Sequence, residues 1–398
     1  MRLCVRPHLV ALALLGLASG CADPDDTDAN PHPAPLAEEL GQMLIVGFRG
    51  KIVDDSFAIT QQIAAGQVGG VVLFDRDVKN GNYDRNISTP TQLQTLVTTL
   101  KSYTDGPLFV SIDEEGGMVD RLKEKYGFPP TQSAQALGEF DDLDATFGAG
   151  RSIGQTLQQM GINLNFAPVV DVNVNPDSPA IGALERSFSS DPAKVIAHAE
   201  ATIEGLADQS IRSTLKHFPG HGSAASDSHA GFTDVTATWT EMELAPYQQI
   251  VDDGLADAVM TAHVFNAELD PDWPATLSPT ILRSLLRDQI GYDGVVVSDD
   301  MQMGAIQREF GLEEAVVAAV LAGNDLLTFA NNNPDVYDEQ IAPTVIELLR
   351  AAVKDGRIGR DRIDEAYLRI QALKARLYEP QRYGPPPRRR RREPTTPG

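Results

Sequence analysis

"GYDGVVVSD", residues 291–299, leaves a glycine-flanked turn, runs through three valines and stops on a carboxylate. Valine favours extended backbone. A run that is apolar at every position, not at alternate ones, suits a parallel strand covered on both faces. The same layout recurs along the chain in "MLIVGF" (43–48), "VGGVVLF" (68–74), "LFVSID" (108–113), "INLNFAPVVDV" (162–172), "STLKHF" (213–218), "AVMTAHV" (258–264) and "DLLTFA" (325–330). Amphipathic helices are expected between these runs. Thr89-Pro90, Asp191-Pro192 and Ser278-Pro279 each set a capping side chain before a proline at the first helical position. Leu93, Leu96, Val97 and Leu100 repeat at helical spacing on one face. Gly254, Gly291 and Gly323 fall where helices end in the left-handed conformation. Eight strand signals alternating with helices predict an α/β fold, a (β/α)8 TIM-type barrel forming a single catalytic domain over residues 37–378. A doubly wound open sheet is the competitor, because periodicity does not distinguish a closed sheet from an open one. No glycine-rich dinucleotide fingerprint follows the first strand, which weakens that alternative.

The ends set the compartment. "MRLCVRPH" carries two arginines, and the apolar run "LVALALLGLAS" is too short to span a bilayer. Residues 1–20 have the layout of a secretory signal, and "LASGC" resembles a bacterial lipobox, with cleavage before Cys21 and lipid on its thiol. Ordinary signal cleavage with a stray thiol is the simpler alternative. Cys4 leaves with the signal, so the mature chain has no partner for an internal disulfide and must be held by its core. Residues 21–36 form an acidic, proline-rich tether, and 379–398 a Pro/Arg-rich tail containing Arg388–Arg392. The net charge of −23 argues against nucleic acid as a partner.

In a barrel of this kind chemistry sits at the C-terminal ends of the strands. Asp113 closes "LFVSID", Lys216 and His217 close "STLKHF" with Phe218, His263 lies near the end of "AVMTAHV", and Asp299 closes "GVVVSD". Ending buried strands on charged groups costs free energy, and four such ends on one rim point to a site. His217 and His221 have the four-residue spacing of helical zinc ligands. Pro219 and Gly220 between them break the helix a zinc site of that type needs. A serine-hydrolase reading lacks the G-x-S-x-G elbow. Asp227 lies two residues before His229 on a loop rich in Gly, Ser and Ala. A carboxylate beside an imidazole would tune it for proton transfer near neutral pH; an incidental histidine on a surface loop is the alternative.

Taken in order, "GQMLIVGF", "IDEEGGMVDRL", "INLNFAPVVDV", "IGALERSF", "KHFPGHG" followed four residues later by "DSH", "MTAHV" and "GYDGVVVSDDMQM" resemble the single-domain β-N-acetylglucosaminidases of glycoside hydrolase family 3. The likeness runs from residue 41 to about residue 330. It implies a retaining exo-β-N-acetylglucosaminidase that removes terminal β-linked GlcNAc from peptidoglycan fragments or chitooligosaccharides, without cofactor or metal. Asp299 would form the covalent glycosyl–enzyme, and His229, oriented by Asp227, would serve as acid and then base. A neutral imidazole near the nucleophile avoids the repulsion between two carboxylates. By the same resemblance Asp113, Arg121, Arg186, Lys216 and His217 would grip the sugar hydroxyls, and His263 would line the pocket. His221 reads as structural, holding the turn into the loop. Met118 stands where the family commonly has arginine, which puts local loop packing in question. Asp300 beside Asp299 creates an ambiguity that the family pattern resolves toward the first.

The signal points to an extracytoplasmic enzyme, lipid-anchored to the cell envelope at the outer membrane or cell surface, with a secreted or periplasmic enzyme as the alternative. Enzymatic alternatives are a family 3 β-glucosidase, which generally takes its acid/base carboxylate from a second domain, and a β-N-acetylglucosaminide phosphorylase. A wall-binding lipoprotein that has lost turnover is the non-enzymatic alternative, and the presence of Asp227, His229 and Asp299 argues against it.

Overall fold

The structure is a computed structural model that describes residues 32–227, 231–334 and 337–378. The eight expected strands form one parallel sheet: β1 (Leu44–Gly47), β2 (Gly70–Leu73), β3 (Phe109–Ile112), β4 (Leu164–Asn165), β5 (Thr214–Phe218), β7 (Ala258–Thr261), β9 (Val295–Asp300) and β10 (Leu326–Phe329). Their order is β4-β3-β2-β1-β10-β9-β7-β5, with β1 paired to both β2 and β10. The remaining seam, between β4 and β5, is closed by single parallel bridges, Leu164 with Arg212 and Val169 with Lys216. The barrel is therefore nearly regular and the open-sheet alternative does not hold. Two short segments, β6 (Thr233–Asp234) and β8 (Val264–Phe265), pair outside it.

The long run 162–172 yields only two residues of regular strand. Pro168 has no N–H for a ladder, yet Thr214 donates to the Ala167 carbonyl and Val170 to that of Lys216, so the segment still follows β5. Strand interiors β1, β2, β3, β7 and β10 are buried at every position, as continuous apolar runs require.

The helix signals match local geometry. The Thr89 hydroxyl accepts from Gln92 N at 3.2 Å at the start of helix Pro90–Lys101, which buries Leu93, Leu96, Val97 and Leu100. Asp191 caps helix Pro192–Asp208 through Ala193 N at 3.0 Å. Ser278 accepts from Ile281 N at 3.0 Å, but the helix it opens, Thr280–Gln289, is wound as a π-helix.

Both ends of the described chain meet at the N-terminal face of the barrel, opposite the rim where the strands finish. His32 contacts Asp364 at 2.8 Å, Arg360 donates to the Ala34 carbonyl, and Arg376 pairs with Asp257 just before β7. The last residues of the expected tether thus lie against helix Arg360–Ala375. Among the described residues no helix is long and apolar enough to cross a membrane. The signal, Cys21 and the arginine tail lie outside the described residues.

Candidate active site

At the C-terminal rim the expected sugar-binding residues interlock. Lys216, on β5, is 1% exposed; its Nζ lies 2.7 Å from Asp113 Oδ1 and 2.6 Å from Glu115 Oε1. Arg186 grips Glu115 with two donors, Nε to Oε2 at 2.8 Å and Nη2 to Oε1 at 2.7 Å, and donates a third to the Ala180 carbonyl. Bidentate pairing of this kind fixes orientation as well as charge. The second oxygen of Asp113 faces Arg121 Nη2 at 3.7 Å. His217 sets Nδ1 2.8 Å from Asp171 Oδ2, and its Nε2 lies 3.3 Å from Arg186 Nη2. One hydrogen-bonded assembly therefore contains Asp113, Arg186, Lys216 and His217, with Arg121 at its edge.

The carboxylates are held ionised. Burial by itself would raise Asp113, but the charges of Lys216 and Arg121 override it and keep the group below the usual range. Burial likewise opposes ionisation of Glu115, and Arg186 and Lys216 outweigh it so that the carboxyl falls far below that range. Asp171 behaves the same way: burial opposes ionisation, and the hydrogen bonds it accepts from the His217 ring and from the backbone N–H of His221 outweigh it.

Two members of this assembly are absent from the sequence expectations, Glu115 and Asp171. Asp171 near the end of "APVVDV" carries the same signal that marked Asp113 and Asp299, an apolar run reaching an acid. It accepts from the backbone N–H of both His217 and His221 besides the His217 ring. Glu114, between Asp113 and Glu115, turns away from the rim and accepts the N–H groups of Arg121 and Leu122 at 2.9 and 3.0 Å. It shapes the turn that presents Arg121. Burial, with Asp120 beside it, pushes its carboxyl well up.

His221 is buried with its ring edge-on to His217. Desolvation, and then the neighbouring His217, push its imidazole down to about 4, so it is neutral at ordinary pH, in keeping with a structural role. His263, expected to line the pocket, is 1% exposed with Nδ1 2.7 Å from the Thr276 hydroxyl and Nε2 3.0 Å from the Asp300 carbonyl. Both ring nitrogens are occupied by protein, which makes it a strut under the end of β9. Of the two aspartates there, Asp300 accepts from Gln302 N and Ala330 N through Oδ1. Asp299, half-buried, accepts from Asp300 N at 2.8 Å. Met118 is exposed at the tip of the β3 loop. Asp227 is half-buried on the β5 loop, and His229 lies outside the described residues. Among the described residues no group of three or more His, Cys, Asp or Glu side chains is placed to hold a metal ion.

A parallel barrel with interlocked cations and carboxylates on its C-terminal rim has the layout of a barrel enzyme's active site. The chain belongs to glycosyl hydrolase family 3: the family's N-terminal domain matches residues 35–373. It is 37% identical over 268 residues to a beta-hexosaminidase of Tolumonas auensis, covering 67% of this chain and 76% of that protein. It is 33% identical over 366 residues to the beta-hexosaminidase LpqI of Mycobacterium tuberculosis, covering 89% and 86%. The solved family 3 beta-N-acetylglucosaminidase from Paenibacillus sp. superposes with a TM-score of 0.78 at 36% identity, over 86% of this chain and 63% of that one. The beta-N-acetylhexosaminidase of Beutenbergia cavernae gives 0.77 at 28% identity, over 87% of this chain and all of that one. The family expected from the motifs is the family found.

Proposed function

We propose that this chain is a retaining exo-β-N-acetylglucosaminidase acting on terminal β-linked GlcNAc, with Asp299 as nucleophile and His229, oriented by Asp227, as acid and base. The observation that carries the reading is the commitment of the other rim carboxyls. Asp113, Glu115 and Asp171 are each bound to cationic or histidine partners that keep them ionised, Asp300 caps backbone N–H groups, and Glu114 is buried in the Arg121 turn. A general acid must hold a proton to give, and none of these is suited to do so at the rim. That supports a histidine from the loop after β5 in the role a second carboxyl plays in most retaining glycosidases. The names of the relatives support the N-acetylated sugar.

The order of events follows. Asp113, Arg121, Arg186, Lys216 and His217 hold the sugar hydroxyls. Asp299 attacks the anomeric carbon while His229 protonates the leaving oxygen, and the same imidazole then takes a proton from the incoming water. We place the enzyme at the cell envelope, tethered by lipid on Cys21; a Cys21→Ser variant would then move activity from the membrane fraction to the soluble one.

The test is initial rates on nitrophenyl β-N-acetylglucosaminide and the matched β-glucoside in phosphate-free buffer. Release from the acetylated sugar alone supports the reading. Preference for the glucoside overturns it. Turnover that needs added phosphate would convert the hydrolase into a phosphorylase. Silence on both substrates under both conditions would favour a binding protein.

A further inference from the structure

The turn "PGHG", residues 219–222, is pinned from four directions. The Trp239 indole N–H donates to the Pro219 carbonyl at 3.1 Å. His221 N donates to Asp171 Oδ1 at 2.8 Å. Gly222 N donates at 3.1 Å to Oε2 of Glu243, a fully buried side chain from the short helix Glu241–Leu244. Asn175, beyond β4, donates its backbone N–H to the Gly222 carbonyl at 3.0 Å and its side-chain amide to the Ala224 carbonyl at 3.1 Å. The packing is as tight as the bonding. A Cβ on Gly220, whose φ is +127°, would stand 2.7 Å from Glu243 Cβ, and one on Gly222 would stand 1.8 Å from the Val172 carbonyl. Residues 221–224 are buried, whereas Ala225 and Ser226 are exposed. On the far side Thr233 is buried and paired in the outer two-stranded sheet. The loop therefore starts at a defined place, after Ala224.

We propose that Glu243, a fully buried side chain, is the positioning residue that fixes where the Asp227–His229 loop leaves the barrel, through its bond to Gly222 and its packing against Gly220. This rests on the reading of His229 as acid and base. Asp171 holds the same turn but also holds His217, so its loss would damage sugar binding. Glu243 holds the turn without a hydrogen bond to any of the expected sugar-binding residues, so its removal tests the loop apart from sugar binding.

Two measurements on Glu243→Ala and Glu243→Gln test it. Hydrogen exchange at the Gly222 amide reads the clamp itself: faster exchange in Glu243→Ala, with Glu243→Gln near wild type because its amide carbonyl still accepts, is the expected result. Unchanged exchange in the alanine variant overturns the proposal. The second is kcat/KM on β-N-acetylglucosaminides with a dinitrophenyl or a methoxyphenyl leaving group. The first aglycone departs without protonation and the second needs an acid. Mispositioning the acid should cost about tenfold or more on methoxyphenyl and under about twofold on dinitrophenyl. Equal losses on both, or none, overturn the proposal. His229→Ala in parallel keeps the failures apart: no leaving-group dependence there, with faster Gly222 exchange in Glu243→Ala, sinks the acid/base assignment and leaves the clamp standing.

Discussion

Two lysines are almost completely buried at opposite ends of this barrel, and the molecule treats them differently. Lys216, on the catalytic rim, has two carboxylates within 2.7 Å. Lys374, at the N-terminal face, has the Gln42 amide oxygen at 2.5 Å and the Phe109 ring 5.0 Å from its Nζ. Without a compensating charge, burial pushes the Lys374 ammonium down to about 7. The rim thus preserves a fixed cation for binding, at the expense of burying two acids with it. The opposite face buries an amine that gives up its proton near neutrality.

Removing charges at the two ends should therefore have opposite consequences. The largest effect is expected from Asp299→Asn, which should lower kcat by about a thousandfold or more while leaving the melting temperature unchanged or higher. Retained turnover, with Asp300→Asn inactive instead, would transfer the nucleophile's role to the neighbour. Next comes Glu115→Gln. It leaves Lys216 with Asp113 alone and Arg186 facing an amide, so it should cost about 3 kcal/mol of stability and weaken kcat/KM together. Urea melts and rates on the nitrophenyl substrate check both, and a stable, active variant would show that Glu115 is a bystander. Smallest is Lys374→Met, expected to stabilise the fold by about 2 kcal/mol at pH 7 without altering turnover. Its pH dependence has a definite sign. Between pH 7 and 10.5 the unfolded chain holds the lysine proton more tightly than the folded one, so native stability rises with pH through that window. The advantage of methionine should accordingly shrink as pH rises above 7 and stay constant below it. An advantage independent of pH would mean that packing, not charge, sets the difference.

The barrel was legible because continuous apolar runs report parallel strands and because caps such as Thr89 and Asp191 are local chemistry. The same logic singled out Asp113, Lys216, His217 and Asp299, each at or near the end of such a run, and the structure brings Asp113, Lys216 and His217 into one hydrogen-bonded assembly. That logic could not sort the three successive acids of "DEE". Asp113 faces Lys216 and Arg121, Glu114 turns to the backbone of its own loop, and Glu115 takes Arg186 and Lys216. Glu114 finds its partners within its own loop, but Asp113 and Glu115 are distinguished by partners about 70 and 100 residues away, which no local pattern encodes. His263 shows the complementary limit of local reading. Its place near a strand end was read correctly, but the Thr276 hydroxyl that turns its ring inward belongs to a later segment. The β4 run was overestimated because Pro168 interrupts the ladder while single bonds to β5 keep the chain in line.

The meeting of both chain ends on the face opposite the catalytic rim has a bearing on how the enzyme would be presented. Ten residues lie between Cys21 and His32, a span of at most about 40 Å when fully extended. Under the anchoring proposed above, the tether would join the barrel at His32, on the face away from the catalytic rim, so that attachment and substrate entry would not compete for one surface.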